Sequence, residues 1–369
     1  MKVSILTNSL TPYRIPLFEA LSQSNGISCL RLLVCSEKEA DRDWDIHTPN
    51  LFINLLFGFS LTLKRKGGLF RFLHFRFGII WELLYKRPDV LIIGDASWTS
   101  YIGAVTCQLL RIKYVVWNEI TSVAPVSTGL MSSIRKNFFS RSCFVIASCE
   151  LAKSFVKGFG IPEFKLSIVN NSVDNKTLRS LNKNTDKEQL KLSLNISDND
   201  TVFIYVGQLN SNKRVVDILD VFLLNDDPTK KLIVVGSGPL EKNVLKKISD
   251  KNMQDKIIFL GSKCQRELVG YYSISNCLLL VSEFDAWGMV VNEAIVFGLD
   301  FVCTDTVAAA AEFHKKNQWG TIFKYEKNDF IDIINNYNKK IISYDDNIIP
   351  SITGMKEEML TVINNVYRS

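Results

Sequence analysis

The sequence predicts an α/β protein built from two doubly wound parallel-sheet domains. Three observations lead to this fold class. At 369 residues the chain is too long for one ordinary hydrophobic core. Short apolar runs alternate with segments of helical spacing, a pattern typical of βαβ units. A polar stretch at 175–200, rich in Lys, Asn, Ser and Asp, separates two such series.

The predicted domains follow from this interruption. Residues 1–174 form the first Rossmann-like domain, 175–200 a linker or hinge, and 201–345 the second Rossmann-like domain. Residues 346–369 contain a C-terminal helix, Gly354–Tyr367, which we expect to pack back on the first domain.

Composition narrows the class of protein. Hydrophobic residues make up 47% of the chain and charged residues 22%, as in a soluble globular protein, and no apolar run approaches the length of a bilayer span. The eight Cys have no metal-ligand spacing and the three His lie far apart, so we predict no metal site. Buried reduced thiols indicate a cytoplasmic protein. The net charge of +6 is compatible with phosphorylated substrates or an anionic membrane surface and identifies neither.

Six strands and two helices are predicted in the first domain. The strands are Val3–Thr7, Ile27–Val34, Val90–Ile93, Tyr114–Trp117, Cys143–Ala147 and Leu166–Val169. The helices are Tyr13–Leu21 and Trp98–Leu110, the second capped by Ser97. No GxGxxG follows the first strand, which disfavours a nicotinamide-binding Rossmann enzyme.

Acidic residues follow three of these strands, and the third of them, Glu150, is interpreted as a helix cap. Asp95 and Glu119 stand at predicted carboxyl ends, where ligands of such sheets bind. A lone acidic residue there is often a helix cap. Glu119 follows its strand directly and is the stronger functional candidate.

Two segments of the first domain each allow both a structural and a functional interpretation. Arg42 and Trp44 lie in a polar run that is equally compatible with a solvated loop and with acceptor or donor contact. Residues 51–81 combine many Phe and Leu with cations, a composition that suits the surface of an anionic bilayer. The alternative is a buried helix with snorkelling cations. We expect that helix over Phe70–Trp81 and an exposed basic loop over Phe57–Gly68.

The second domain repeats the strand–loop–helix unit. Its predicted strands are Thr201–Val206, Leu232–Val235, Ile257–Leu260, Cys277–Val281 and Phe301–Cys303. Lys213 lies where the loop after the first of them turns into a helix, and a flexible point charge there can pair with a diphosphate. Gly236 and Gly238 allow close approach of backbone and ligand.

Residues 282–298, SEFDAWGMVVNEAIVFG, are the most informative stretch. They follow a buried strand, and helical spacing begins at Gly288. Asp285 therefore lies on the loop, and Glu293 lies about one and a half turns into the helix. Free N–H groups at a helix N-terminus favour an anion, and carboxylates bind sugar hydroxyls. This combination predicts a sugar-nucleotide site.

Taken in order, five elements resemble the retaining glycosyltransferases of group 1 (family 4), which have the GT-B fold of two domains facing across a cleft. They are Asp285-x7-Glu293, Gly207-Gln208-Leu209 with Lys213, Gly236 to Leu240, Asn171-Ser172-Val173-Asp174, and Thr11 to Phe18. The last is similar to members that act on bacterial polysaccharide precursors. The resemblance covers most of the chain.

The resemblance implies a role for each matching residue. Glu293 would bind the ribose hydroxyls of a UDP- or GDP-linked donor, Asp285 the transferred sugar, and Lys213 the diphosphate, in place of a metal ion. With Glu119, these are the implied catalytic residues. Further implied donor-binding residues are Gly207, Gln208, Gly236, Gly238, Ser262, Ala286, Trp287, Gly288, Met289 and Val290. Implied acceptor-side residues are Thr11, Pro12, Tyr13, Arg14 and Asp95.

Three departures from the family pattern bear on activity. Asp285 replaces the usual Glu, Gln208 the usual Arg, and Ala308 a common Gly. The expected function is metal-independent, retaining transfer of a sugar to a glycan or lipid-linked acceptor in bacterial surface-polysaccharide synthesis, at the inner face of the membrane. The alternatives are a catalytically inactive sugar-nucleotide binder and a sugar-nucleotide epimerase.

Overall fold

The computed structural model describes residues 1–37, 48, 50–64, 70–94, 96–124, 129–340, 342, 344–345 and 348–369, which divide into two compact units. The first unit is Met1–Val173 with Pro350–Ser369, and the second is Asp174–Ile349. Each unit contains a parallel sheet whose strands are connected through helices, so the predicted fold class is confirmed.

Seven parallel strands form the sheet of the first unit. They are β1 (Lys2–Ser9), β2 (Cys29–Ser36), β3 (Phe52–Leu55), β6 (Val90–Gly94), β7 (Lys113–Asn118), β8 (Phe144–Ala147) and β9 (Leu166–Ile168). The spatial order is β3-β2-β1-β6-β7-β8-β9. The chain direction across the sheet reverses beside β1, and ligands of open α/β sheets bind at the carboxyl ends of the strands beside such a switch point.

Helices cover both faces of this sheet. They are α1 (Ile15–Ser22), α2 (Gly78–Tyr85), α3 (Trp98–Leu110), α4 (Leu130–Arg141), α5 (Glu150–Lys157) and α14 (Ile352–Arg368). Because strand side chains alternate between faces, Ile5 packs in the core beneath α1 and α14, whereas Leu6 packs in the opposite core. Met359 of α14 is fully buried in the same core as Phe18 of α1.

Residues 51–81 differ from the predicted loop and helix. Strands β4 (Phe59–Lys64) and β5 (Phe70–Phe75) form an antiparallel hairpin, and α2 begins only at Gly78. The predicted helix over Phe70–Trp81 is therefore wrong in its first half. Aromatic and branched residues at alternate positions favour a strand when a partner strand is available, and β4 supplies that partner.

Six parallel strands form the sheet of the second unit, in the order β12-β11-β10-β13-β14-β15. The strands are β10 (Thr201–Val206), β11 (Lys230–Val235), β12 (Ile257–Gly261), β13 (Cys277–Leu280), β14 (Asp300–Thr304) and β15 (Thr321–Phe323). The connecting helices are α8 (Val215–Leu224), α9 (Glu241–Asp250), α10 (Gln265–Ser273), α11 (Met289–Val296), α12 (Ala308–Asn317) and α13 (Lys327–Asn335).

The polar stretch at 175–200, predicted as a linker or hinge, lies within the second unit. It forms α6 (Asn175–Asn182) and α7 (Lys187–Ser193), whose N-caps are Asp174 and Asp186. Helix α6 packs against α10 and α11, and its Leu178 is buried. One well-placed apolar residue anchors a helix whose composition otherwise resembles that of a linker.

Candidate functional site

At the carboxyl edge of the second unit's sheet, the backbones of two loops lie against each other and form a surface that we call the glycine wall. Gly207 follows β10 and Gly236 follows β11. A Cβ on Gly236 would lie 1.9 Å from the carbonyl oxygen of Gly207, and one on Gly238 would lie 2.6 Å from that of Leu209. Both Gly236 and Gly238 have positive φ, +145° and +155°. Glycine is required here because two loops meet at backbone distance, and a ligand can approach the same wall closely.

Lys213 ends a short 3-10 turn that continues from this wall. The side chain of Asn210 caps the turn by accepting a hydrogen bond from the Lys213 backbone N–H at 3.1 Å. Arg214 follows in the left-handed conformation, with φ of +49°. Its guanidinium lies 4.0 Å from the ring centroid of Tyr325 and 3.5 Å from the Glu283 carboxylate. These contacts fix the direction in which the chain leaves Lys213.

This turn is hydrogen-bonded to the loop after β13. The backbone N–H of Glu283 donates to the carbonyl of Asn212 at 2.7 Å, and the Asn212 side-chain amide donates to the carbonyl of Phe284 at 2.8 Å. The two loops follow neighbouring strands, β10 and β13, so the sheet brings together residues 72 positions apart.

The result is an ion pair between Lys213 Nζ and Asp285 Oδ2. The side chains are 18% and 17% exposed, so a solute can reach both of them. Asp285 is also held through its backbone: its N–H donates to Thr306 at 3.2 Å, and its carbonyl accepts from Ala308 at 3.3 Å. The loop after β14 thus fixes Asp285 from the side opposite to Lys213's turn.

Helix α11 begins beside this ion pair. Gly288 precedes it with φ of +93°, and a Cβ there would lie 2.9 Å from Val307 Cγ1. Within the described part of the chain, the backbone N–H groups of Met289 and Val290 donate no hydrogen bond to protein atoms. Unpaired N–H groups at a helix start, together with the helix dipole, favour a phosphate.

Glu293 is the fifth residue of α11 and is half-buried. Its Oε2 accepts a hydrogen bond from the phenol of Tyr272 on α10 at 2.7 Å. Burial raises the pKa of Glu293 to about 7, although the hydrogen bond from Tyr272 opposes this rise. A carboxyl that titrates near neutral pH can accept hydrogen bonds from a diol when it is ionised.

The first unit has its own polar cluster at the carboxyl edge. Arg14, the N-cap residue of α1, is buried, and its Nη2 lies 2.9 Å from Glu119 Oε2. Its Nη1 donates to Thr7 Oγ1 at 3.1 Å, and its guanidinium lies 4.5 Å from the Trp117 ring centroid. The other oxygen of Glu119 accepts from the Asn171 side chain at 2.8 Å.

The predicted residues fall into three groups. Those of the second unit surround the ends of β10, β11 and β13, except that Ser262 lies exposed after β12. The Trp287 side chain is buried, and its Nε1 donates to Asn292 at 2.7 Å, so only its backbone can meet a ligand.

In the first unit, Arg14 is engaged by Glu119, Thr11 is buried, Tyr13 is half-buried and Pro12 is exposed. Asp95 and the Arg42–Trp44 segment lie outside the described residues.

Sequence reasoning missed Tyr272 and Asn210. Asn210 had a usable signal, since Asn three residues before the end of a short turn is a favoured cap. Tyr272 had none, because its position facing Glu293 depends on how α10 packs beside α11.

Comparison with known proteins finds similarity to one protein family over the part of the chain that carries this site. Residues 186–342, which include Lys213, Asp285 and Glu293, match the glycosyl transferases of group 1. Among curated relatives, N-acetyl-alpha-D-glucosaminyl L-malate synthase of Bacillus anthracis is 29% identical over 32% of this chain and 31% of its own length. Lipopolysaccharide 1,6-galactosyltransferase of Salmonella typhimurium is 25% identical over 89% of this chain and 85% of its own length. The chain spans between about a third and just under two thirds of the length of the first three relatives, 31%, 56% and 63%.

Among solved structures, Anabaena HepE in complex with UDP superimposes with a TM-score of 0.76 at 15% identity, covering 99% of this chain and 100% of HepE. At that identity the likeness establishes the fold. The chain has the two parallel-sheet α/β domains of the GT-B glycosyltransferases.

Proposed function

We propose that this chain is a glycosyltransferase that moves a sugar from a nucleotide diphosphate sugar, UDP- or GDP-linked, to a glycan or lipid-linked acceptor. The Lys213–Asp285 ion pair beside the open start of α11 is the observation that carries the proposal. It combines a cation, two backbone N–H groups and a carboxylate within one edge of one sheet. Those are the groups that a diphosphate and its sugar require.

In the proposed reaction, the bond from the anomeric carbon to the diphosphate oxygen breaks, and a bond from the acceptor hydroxyl oxygen to that carbon forms. The bonding electron pair leaves with the diphosphate, which also takes up the proton that the acceptor loses. Negative charge therefore grows on the diphosphate in the transition state, where Lys213 and the N–H groups of Met289 and Val290 stabilise it. No metal ion is needed for this step.

Two further contacts orient the donor. Glu293 accepts hydrogen bonds from the ribose hydroxyls, and Asp285 contacts the transferred sugar once the phosphate has drawn Lys213 away. The acceptor binds at the carboxyl edge of the first unit, near Pro12 and Tyr13, with Glu119 beside them. We infer retention at the anomeric carbon from the resemblance of the five sequence elements to those of retaining enzymes.

The Salmonella relative named as a lipopolysaccharide galactosyltransferase supports a role in surface-polysaccharide synthesis, in lipopolysaccharide, O-antigen or capsule. We propose that the chain acts at the inner face of the cell membrane, on lipid-linked precursors of these polysaccharides. No helix in the described ranges combines the length and apolar character needed to cross a bilayer.

The exposed apolar side chains support peripheral contact with such a membrane. Of the 21 large hydrophobic residues that are exposed in the described part of the chain, 11 lie between 52 and 85: Phe52, Ile53, Leu55, Phe57, Phe59, Leu61, Leu63, Phe77, Trp81, Leu84 and Tyr85. Lys64 is the last residue of β4, and Arg65 and Lys66, which lie outside the described residues, follow it in sequence. Apolar residues beside several cations suit an anionic interface.

The test of the transferase proposal uses purified protein, UDP- and GDP-sugars, and UDP or GDP alone. We expect one nucleotide to raise the melting temperature, and we expect Glu293→Gln to lose that rise and Lys213→Ala to lose transfer. Undiminished turnover in both variants would contradict the site. A new sugar nucleotide formed without acceptor would identify an epimerase, and binding without any transfer would identify an inactive binder.

The membrane contact is tested with vesicles that contain anionic lipid. Neutralising Lys64, Arg65 and Lys66, or replacing Leu61 and Leu63 by Ser, should weaken vesicle binding severalfold. Leu192→Ser with Leu224→Ser, two exposed leucines of the second unit, is the matched control. Equal binding by all variants would refute the contact.

A further inference from the structure

Tyr272 is a buried residue that the proposed reaction does not use. Its side chain is 1% exposed, and its ring stacks on Phe297 with centroids 5.7 Å apart and planes 10° from parallel. Phe297 and Glu293 are four residues apart, so they lie on the same side of α11. Tyr272 therefore contacts this side twice, through its ring at Phe297 and through its hydroxyl at Glu293 Oε2.

This arrangement determines which parts of the Glu293 carboxylate remain available. A phenol has one proton to donate, and here it goes to Oε2 at 2.7 Å. Among the described residues, Oε1 has no hydrogen-bond partner, and Glu293 is only half-buried. One oxygen is held by the protein and the other is open to a ligand.

We propose that Tyr272 is the positioning residue of the nucleotide site: it holds Glu293 through Oε2 so that Oε1 can accept from the hydroxyls of a bound nucleoside diphosphate. This inference rests on the proposed function, since it takes Glu293 as the group that binds the nucleotide. Tyr272 itself does not touch the ligand.

The ionisation of Glu293 supports the assignment. Burial raises its pKa to about 7, and the Tyr272 hydrogen bond lowers it against that trend. Burial and the Glu293 charge also raise the pKa of Tyr272, so the phenol stays protonated and remains a donor. The elements packed against α11 carry these other titratable groups: Lys176 and Arg179 on α6, Glu312, His314, Lys315 and Lys316 on α12, Cys277 on β13, and Asp300 and Cys303 on β14. None of them contributes to the shift at Glu293.

The pH dependence follows with a definite sign. Nucleotide hydroxyls donate hydrogen bonds, so they prefer the ionised carboxylate, and affinity should rise as pH rises through the Glu293 pKa of about 7. Without the Tyr272 hydroxyl the carboxylate loses a stabilising donor, its pKa rises, and the affinity curve moves to higher pH.

The experiment compares wild type, Tyr272→Phe and the control Tyr271→Phe. Phe keeps the ring that stacks on Phe297, and Tyr271 is a half-buried neighbour that, within the described part of the chain, makes no hydrogen bond to the Glu293 carboxylate. The Glu293 carboxyl is titrated by ¹³C NMR, its signal assigned by its absence in Glu293→Gln. Affinity for UDP and for GDP is measured by calorimetry across the same pH range.

We expect Tyr272→Phe to move the Glu293 midpoint upward from about 7, and to weaken nucleotide binding about tenfold near neutral pH, the usual effect of losing a hydrogen bond to a charged group. The loss should shrink at higher pH, whereas a general packing defect would weaken binding equally at every pH. Tyr271→Phe should match wild type in both measurements.

Two outcomes would overturn the inference, and they are distinguishable. An unchanged midpoint and an unchanged affinity curve in Tyr272→Phe would refute the positioning role and leave the proposed function intact. Failure of wild type to bind either nucleotide at any pH would refute the proposed donor site, and the role of Tyr272 with it.

Discussion

Each unit carries an ion pair at the carboxyl edge of its sheet, Arg14 with Glu119 and Lys213 with Asp285, and these two pairs are built differently. In the first unit the Arg14 and Glu119 side chains are 6% and 21% exposed, and in the second unit those of Lys213 and Asp285 are 18% and 17% exposed. Arg14 also contacts Thr7 and Trp117. Lys213 Nζ has Asp285 as its one partner within the described chain.

This difference in exposure and in partners indicates that the two ion pairs have different roles. The planar guanidinium of arginine can donate hydrogen bonds to several groups at once. The Arg14–Glu119 pair therefore acts as a clamp that links α1 to the end of β7. Lysine is a point charge on a flexible stem, and a phosphate can replace its single carboxylate partner. We expect the first pair to govern stability and the second to govern activity.

The largest expected effect tests the second pair. Lys213→Met should lower the transfer rate about a thousandfold, because the charge that develops on the diphosphate loses its cation. The free energy of unfolding should change by less than about 1 kcal/mol, as for other accessible ion pairs. Both are measured, by product formation and by denaturant unfolding, beside Lys246→Met on the exposed face of α9. If Lys213→Met lowered the free energy of unfolding by as much as Arg14→Met, the variant described next, the expected difference between the two ion pairs would be refuted.

The next effect tests the clamp. Arg14→Met should lower the free energy of unfolding by about 3 kcal/mol, because the buried Arg14 guanidinium would lose its contacts with Thr7 and Trp117 as well as its ion pair with Glu119. Lys136→Met, at an exposed position of the same unit, serves as the control in urea unfolding. Near-equal midpoints for the two variants would show that Arg14 does not hold the first unit together.

A smaller effect tests the glycine wall of the second unit. Gly236→Ala places a Cβ 1.9 Å from a carbonyl oxygen, whereas Gly26→Ala, also at positive φ, meets nothing within 4 Å. The first variant should be less stable than the second by about 2 kcal/mol, a difference that measures steric overlap apart from backbone strain. Equal stabilities would mean that the two loops can separate at little cost.

The smallest effect concerns Glu293. Its pKa is about 7 in the folded chain against an ordinary 4.5, so the folded state binds the proton more tightly and loses stability as pH rises from about 4.5 through 7. Glu293→Gln has no charge to bury and should be more stable than wild type at about pH 8, by about 1 to 2 kcal/mol after allowance for partial exposure. At about pH 4 the two should coincide. Melting temperatures that differ equally at both pH values would contradict this.

Much of the fold was predictable because its signals are local. Buried parallel strands such as β10 and β13 are continuous apolar runs, and glycine and polar residues mark their ends. Asp285 and Glu293 could be placed around a helix start from spacing alone. The hairpin of β4 and β5 was misassigned in part because a single short apolar segment does not distinguish strand from helix until its partner is known.

The sequence by itself therefore determined the two-unit α/β class, the positions of most strands and the chemical types gathered at the second unit's edge. Only the tertiary structure decided which of those groups meet. Lys213 and Asp285 are 72 residues apart and pair because β10 and β13 are neighbours in the sheet. Tyr272 faces Glu293 because α10 and α11 lie close together, and Arg14 meets Glu119 because β1 and β7 both flank β6. Such contacts depend on strand order and helix packing, which no local pattern of residues encodes.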